Sequence, residues 1–431
     1  MKALVVGGGG REHALVWALS RDPEVDQIYA APGNPGIAEQ AECVPINATD
    51  IGKLIAFAAE NRIDLTVVGP EAPLAQGIAD SFQGRGLRIF GPTRKAAQIE
   101  TSKSFTKDLC TSYGIPVPRW ETFTNVTDAT RALDRFSSPW VVKADGLAAG
   151  KGTTVTPDRH EAEAAIHREL QRDPHRIVVE EFIDGWEATF MATISTGRIH
   201  WLTPVFQDYK PVLEDDAGPN TGGMGCFAPV PAVTPSLVEK VGKTILTPTV
   251  QAMEEMGVHY RGVLNLNCIV GYETGDPYVL EFNSRFGDPE WQGVAALVEK
   301  GLATHLFAIA DNEKQPSAPE CRESASIVVV LASKEYPTSQ SIGDKITIRP
   351  FSNNSVIILH AGTARNLDGE LVTAGGRILN VVATGPSVES ARKDAYSVIG
   401  SSIQFNGMHY RSDIGAPHRR QRNLQLPRAQ K

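Results

Sequence analysis

At 431 residues with a 42% hydrophobic fraction, the chain is long enough for about three domains of ordinary size and can bury substantial cores. A formal net charge of −8 excludes a general attraction to nucleic acid, so any phosphate binding has to be local. The five cysteines are scattered without a CxxC pair, which suggests neither a disulfide framework nor a zinc site and suits a reducing cytoplasm, and no stretch approaches the ~18 apolar residues of a membrane span. From Met1 to about Gly91, short apolar runs (Ala3-Val6, Gln27-Ala31, Leu65-Val68, Leu87-Phe90) alternate with amphipathic stretches such as Arg11-Ser20 and Ile51-Asn61. That alternation predicts a parallel sheet with helices on both faces, whose ligands sit beyond the carboxyl ends of the strands.

Two loops fall at such ends. Gly7-Gly8-Gly9-Gly10-Arg11-Glu12-His13 follows the first strand and opens the first helix, where free N–H groups and the helix dipole favour a phosphate. Glu12 stands where a dinucleotide fingerprint needs its third glycine, so the phosphate belongs to another kind of ligand. Gly69-Pro70-Glu71-Ala72-Pro73-Leu74 offers a carboxylate that reads equally well as a helix-start charge or as a ligand to hydroxyls.

A helical stretch carrying Lys95, Lys103 and Lys107 ends at Gly114, and Pro116 and Pro118 stiffen the connection into a domain boundary. Next comes Lys143-Ala144-Asp145-Gly146-Leu147-Ala148-Ala149-Gly150-Lys151-Gly152 between two strand-like runs: a hairpin tip suited to phosphate by its glycines and lysines. Asp145 and Gly152 exclude the P-loop pattern. A polar helix around Ala162-Leu170 and an apolar strand ending in Glu180-Glu181 follow, with Glu187 a few residues on. The region from Gln207 to Gly225, holding Asp208, Asn220 and Thr221 among its glycines, lacks periodicity and reads as an ordered, substrate-covering loop. Gly262-Val270 and Tyr278-Asn283 read as antiparallel strands, and alternation puts Glu281 and Asn283 on one face as a magnesium ligand pair beside nucleotide phosphates. Ser284-Arg285-Phe286-Gly287-Asp288-Pro289-Glu290 crowds charges that need each other or charged ligands. From about Ser324 a third unit of strands with one helix (Val388-Gly400) shows no catalytic constellation, and His360 and Arg411 read there as structural. Residues 418–431 are basic and polar and read as a solvated tail.

Taken together, GGREHA (Gly9 to Ala14), APGNPG (Ala31 to Gly36), GPEAPL (Gly69 to Leu74), SKSFTK (Ser102 to Lys107), KADGLAAGKG, GPNTGGMG (Gly218 to Gly225), EFNSRFGDPE (Glu281 to Glu290) and HAGT (His360 to Thr363) resemble the glycinamide ribonucleotide synthetases, the phosphoribosylamine–glycine ligases of purine biosynthesis, within the ATP-grasp superfamily. The resemblance implies an α/β, ATP-grasp architecture: an N-terminal parallel (pre-ATP-grasp) domain over 1–101, an ATP-grasp domain over 102–324 with a mobile B lid at about 123–190, and a small α+β C-terminal domain over 325–417. It implies ATP and Mg²⁺ (or Mn²⁺), with an amino acid and phosphoribosylamine as small-molecule substrates of a cytoplasmic monomer or weak homodimer that engages neither nucleic acid nor membrane. By position, it implies that Lys103, Lys143, Gly150, Lys151 and Gly152 meet ATP phosphates, Glu180, Phe182 and Glu187 the adenosine, and Glu281 and Asn283 the metal. Gly9, Gly10, Arg11 and Glu71 would hold the phosphoribosylamine, and Asp208, Asn220, Thr221, Arg285 and Asp288 the amino acid, with Lys103, Lys143 and Arg285 carrying catalysis.

Three departures from the family pattern stand out: Asn265-Leu266-Asn267 where Tyr-x-Gly is usual, Trp291 where Thr follows the GDPE run, and Pro211 to Ala217 in the loop ahead of GPNTGGMG. They leave two readings open for the acyl donor, glycine or a different small carboxylate in a specialised pathway. A non-catalytic nucleotide-binding protein is disfavoured because the phosphate lysines and Glu281 are retained.

Overall fold

The computed structural model describes residues 1–148, 152–172 and 175–416. The first strands, β1 (Lys2–Gly7), β2 (Gln27–Pro32), β3 (Glu42–Cys43), β4 (Leu65–Val68) and β5 (Ile89–Phe90), form a parallel sheet in the order β3-β2-β1-β4-β5. Their apolar runs are buried because helices cover both faces. The short β3 gave no sequence signal, and the fourth apolar run is a strand only at its last two residues. The strand order reverses between β1 and β4, so the loops after these two strands meet at the crevice that such sheets use for ligands.

The second sheet has the order β6-β9-β7-β8, with β6 (Trp120–Phe123), β7 (Trp140–Ala144), β8 (Thr153–Thr156) and β9 (Ile177–Glu181). The predicted lysine hairpin is the antiparallel pair β7 and β8, in register from Trp140 opposite Thr156 to Lys143 opposite Thr153. A third sheet, β11-β10-β14-β15, contains β10 (Gly185–Ser195), β11 (Arg198–Leu202), β14 (Gly262–Gly271) and β15 (Pro277–Asn283). One of its faces packs on the helices covering 235–255, with Phe190, Leu264, Leu266 and Phe282 in the largest core.

The unit expected to begin near Ser324 is not a separate sheet. Strands Ala325–Ala332, Arg377–Gly385 and Val356–His360 are joined by β12 (Gln207–Asp208) and β13 (Gly225–Ala228), which come from the long loop. Gly225 to Ala228 pairs with Val329 to Ser326, and Gln207 and Asp208 pair back onto Phe227 and Cys226, so the loop is anchored to the last part of the chain through β13. Two further strands, Thr363–Arg365 and Leu371–Gly375, were not expected.

Candidate active site

Strand register builds the principal wall of the site. Thr189, Asn267 and Glu281 lie opposite one another across β10, β14 and β15, and Met191, Asn265 and Asn283 form the next row. Alternation turns both rows to the same face, opposite the core side of the sheet. Glu281 and Asn283 thus line a cavity of about 300 Å³ together with Asn265 and Asn267. Burial alone would raise the Glu281 carboxyl, yet the ammonium groups of Lys210, Lys103 and Lys143 and the Asn267 amide draw it down to about 2. An ionised carboxylate beside an amide oxygen is a hard-oxygen pair for Mg²⁺ or Mn²⁺, although the Asn283 Oδ1 also accepts from Arg285 at 3.3 Å. Among the described residues, no group of three or more His, Cys, Asp or Glu side chains forms a metal cage.

Cations gather beside that wall. Ser102 caps the helix Lys103–Ser112 through its Oγ, which accepts from Phe105 N–H at 3.2 Å, and the helix brings Lys103 and Lys107 to the cavity. Lys143 on β7 donates to Glu180 Oε2 at 2.9 Å and to the Leu280 carbonyl at 3.2 Å. Lys107 lies 3.1 Å from the other Glu180 oxygen and is 1% exposed. Burial pushes this lysine down to about 8 against the pull of Glu180. At the base of the hairpin, Asp145 accepts from Ser104 N–H at 3.2 Å and Ser104 Oγ at 2.6 Å, and it also pairs with Arg176. This carboxylate therefore ties the glycine segment Gly146 to Ala148, which lines the cavity, to the helix that carries Lys103.

The same cavity is also rich in carboxylates. Asp208 and Glu290 are both raised, first by burial and, for Asp208, by the facing Glu290. Lys210 pairs with Glu187 at 2.9 Å. Arg285 sits between Glu100 at 3.2 Å and Glu71 at 3.4 Å. Arg377, from the last large strand, donates to the Asp288 carboxylate at 2.7 Å, the Asp288 carbonyl at 2.9 Å and the Gly222 carbonyl at 2.8 Å. It pins the glycine loop, and with it Thr221 and Gly222, against the cavity.

From the parallel sheet, Arg11 and Glu71 reach the cavity, 4.0 Å apart. Gly9 and Gly10 do not line it: the Gly9 N–H is donated to Glu12 Oε2 at 2.6 Å, the one half of a capping box open to a glycine at the start of the helix that begins at Gly10.

The cavity lining thus unites Lys103, Gly152, Arg11, Glu71, Asp208, Thr221, Arg285, Asp288, Glu281 and Asn283. Lys143 and Glu180 stand immediately behind it as a buried ion pair. Asn220 bridges to Pro211, Phe182 is 38% exposed, and Glu187 is held by Lys210; none of the three lines the cavity. Gly150 and Lys151 lie outside the described residues. His360 is buried against His13, and Arg411 pairs with Asp413 and Asp216, both away from the cavity. Trp291 is likewise absent from the lining, buried at 0% exposure with its ring 3.9 Å from that of Phe286. Sequence reasoning did not single out Lys107, Lys210, Glu100 or Arg377 as site residues. Lys210 carried a signal in its Asp-x-Lys context, whereas Arg377 lies in an otherwise apolar strand that carried none.

The sheets, the lysine hairpin and the acidic strand edge define an ATP-grasp protein. The sequence matches the phosphoribosylglycinamide synthetase N domain over residues 1–100, the ATP-grasp (A) domain over 101–291 and the C domain over 326–417. The chain belongs to the phosphoribosylglycinamide synthetase family. It is 43% identical over 420 residues to the phosphoribosylamine–glycine ligase of Ralstonia nicotianae, covering 96% of this chain and 99% of that protein. It is 42% identical over 423 residues to that of Salmonella typhimurium, with 96% and 98% covered. The crystal structure of the Thermotoga maritima phosphoribosylamine–glycine ligase superposes with a TM-score of 0.81 at 30% identity, covering 96% of this chain and all of that one. The biotin carboxylase domain of Hydrogenobacter thermophilus 2-oxoglutarate carboxylase shares the fold, with a TM-score of 0.72 at 17% identity over 95% of this chain and 91% of that one.

Proposed function

We propose that this enzyme is an ADP-forming carbon–nitrogen ligase that joins the carboxylate of glycine to the amine of 5-phosphoribosylamine in purine biosynthesis, giving glycinamide ribonucleotide and phosphate. The observation that carries the reading is one cavity that brings phosphate-seeking lysines and the Glu281–Asn283 pair together with Asp208, Glu290 and Arg285.

A carboxylate does not condense with an amine directly, so the γ-phosphoryl group of ATP is first transferred to a carboxylate oxygen. The resulting acyl phosphate is attacked by the amine, the C–N bond forms and phosphate leaves. No protein nucleophile is required. Lys103, Lys143 and Lys107 neutralise charge on the phosphates, and Arg285, kept cationic by Glu100 and Glu71, stabilises charge at the carboxylate. Asp208 and Glu290 receive the ammonium group of the amino acid, which relieves their mutual repulsion. Arg11 and Glu71, at the crevice of the parallel sheet, hold the phosphate and hydroxyls of the sugar. Gly150, Lys151 and Gly152 serve the ATP phosphates, and the hairpin keeps water from the acyl phosphate. Glu281 and Asn283 would hold a Mg²⁺ or Mn²⁺ ion, which would supply charge neutralisation at the phosphates. Free cysteines fit a cytoplasmic enzyme, and we take it as a monomer or weak homodimer.

A second reading changes only the donor. Asn265 and Asn267 line the cavity on the wall of Glu281 and Asn283, and the buried Oδ1 of Asn265 has no hydrogen-bond partner within the protein, so a donor larger or more polar than glycine has a group to meet there. ADP release measured with a panel of amino acids, each with and without phosphoribosylamine, decides. Release only with glycine and the amine together supports ligation of glycine, release with another acid moves the donor, and release with neither substrate overturns ligation.

A further inference from the structure

The row Thr189, Asn267 and Glu281 carries a hydrogen-bond chain that the reaction scheme does not use. Asn267 Nδ2 donates to Glu281 Oε1 at 3.0 Å, and Asn267 Oδ1 accepts from Thr189 Oγ1 at 3.1 Å. The same Thr189 hydroxyl lies 3.2 Å from Glu290 Oε1. Thr189 is 2% exposed and Asn267 5%, so water does not compete freely for these bonds. The orientation of the amide follows from its partners, since an ionised carboxylate only accepts and the Asn267 N–H must face Glu281. Thr189 has a single proton and two acceptors within reach, Asn267 Oδ1 and Glu290 Oε1.

We propose that Asn267 is a positioning residue for Glu281 and that Thr189 links it to Glu290, so that an ammonium group on Glu290 tightens the hold on a divalent cation at Glu281. The inference rests on the reading of Glu281 and Asn283 as metal ligands. With an ammonium group on Glu290, the Thr189 proton turns wholly to Asn267, the polarised amide donates more strongly, and Glu281 is fixed with its second oxygen free. With no ammonium group on Glu290, the proton is shared and Asn267 is held less firmly. Since Asn267 and Thr189 face each other across the β10–β14 ladder, the link needs no backbone movement.

The test is Mn²⁺ binding, read from the electron-spin signal of the free ion, to the full chain with a non-hydrolysable ATP analogue, with and without glycine. In the wild type, glycine raises Mn²⁺ affinity about 5-fold. N267A weakens Mn²⁺ binding about 10-fold while leaving the affinity for the ATP analogue unchanged. T189V, which keeps the side-chain shape and removes only the hydroxyl, binds Mn²⁺ normally without glycine and loses the glycine-dependent rise. An equal rise in T189V, or wild-type Mn²⁺ affinity in N267A, overturns the proposal; if N267A does not fold, T189V alone decides the link. E281Q separates the two levels: wild-type Mn²⁺ affinity in E281Q ends the metal reading itself, whereas loss in E281Q with none in N267A ends only the positioning role. A wild type that releases ADP with glycine and shows no glycine-dependent Mn²⁺ shift overturns the link and leaves the ligase reading intact.

Discussion

Lys143 Nζ donates to Glu180 Oε2 at 2.9 Å, and the second oxygen of the same carboxylate faces Lys107 at 3.1 Å. Opposing burial, the two lysines hold Glu180 below the usual carboxylate range. Removing the carboxylate leaves two ammonium groups against each other in a buried place. E180A is expected to lose about 3–5 kcal/mol of stability, read from urea unfolding, while K143A folds and loses about 3 kcal/mol of transition-state stabilisation, read as kcat for ADP release. K143A turning over at the wild-type rate would remove Lys143 from the phosphate site.

Arg377 acts on the site from the far end of the chain. R377A frees the loop carbonyl of Gly222 and leaves Asp288 without its guanidinium, so kcat/KM for the amino acid should fall about 30-fold, an effect near 2 kcal/mol, with KM for ATP little changed. R377K should not rescue it, since an ammonium group cannot make the forked contacts. Equal losses for both substrates would point to general unfolding of the loop region instead.

The hairpin is held at its base by Asp145. In D145A the bonds from Ser104 and Arg176 are lost, and about 2 kcal/mol of the stability of this junction goes with them. Faster proteolytic nicking between Gly146 and Gly152, together with a lower kcat, is the expected pair of readouts. Unaltered nicking would mean that the tip is held by other contacts.

Trp291 tests a different idea. Because its ring is packed on Phe286 and edge-on to Trp201, W291T should cost about 3–5 kcal/mol of stability and leave the order of preference among amino acids unchanged. A change of preferred donor in this variant would show that the core transmits to the cavity.

Acid should weaken the junction between the first helix and the last sheet. The His360 N–H donates to His13 Nδ1 at 2.7 Å, and burial holds His13 down to about 3 and His360 to about 4. The unfolded chain therefore binds more protons than the folded one between about pH 6.5 and the folded values. Stability is present above pH 6.5 and is lost as the pH falls toward 4, by up to about 1.4 kcal/mol per pH unit for each histidine. H13N, whose side-chain oxygen replaces the Nδ1 acceptor, should flatten the acid limb of a Tm-against-pH curve; an unchanged limb would assign the acid loss to other groups.

Much of this site was readable from residue order. Period-two alternation was enough to set Glu281 and Asn283 on one face, and glycines flanked by apolar runs marked the hairpin and the loops of the parallel sheet. Pairings between distant elements were not readable. Nothing in the spacing of Lys107, Lys143 and Glu180 says that they share one buried carboxylate, because three separate elements deliver them. The same holds for Arg377, and for Trp291, whose departure from the family pattern beside the GDPE run pointed to the site while its volume was absorbed by the core. Register between β10, β14 and β15, which sets the Thr189–Asn267–Glu281 row, follows from pairing over tens of residues and leaves no local mark.

The anchoring of β13 onto Ala325–Ala332 bears on how the molecule is made. During synthesis, the strand Gly225–Ala228 leaves the ribosome about a hundred residues before the segment that flanks it, so the glycine loop is born with a raw edge and no Arg377 to fasten it. A nascent chain arrested near residue 324 would hold its lysines and acidic strand but lack one wall of the reaction chamber, which makes the final quarter of the polypeptide the step that switches the catalyst on.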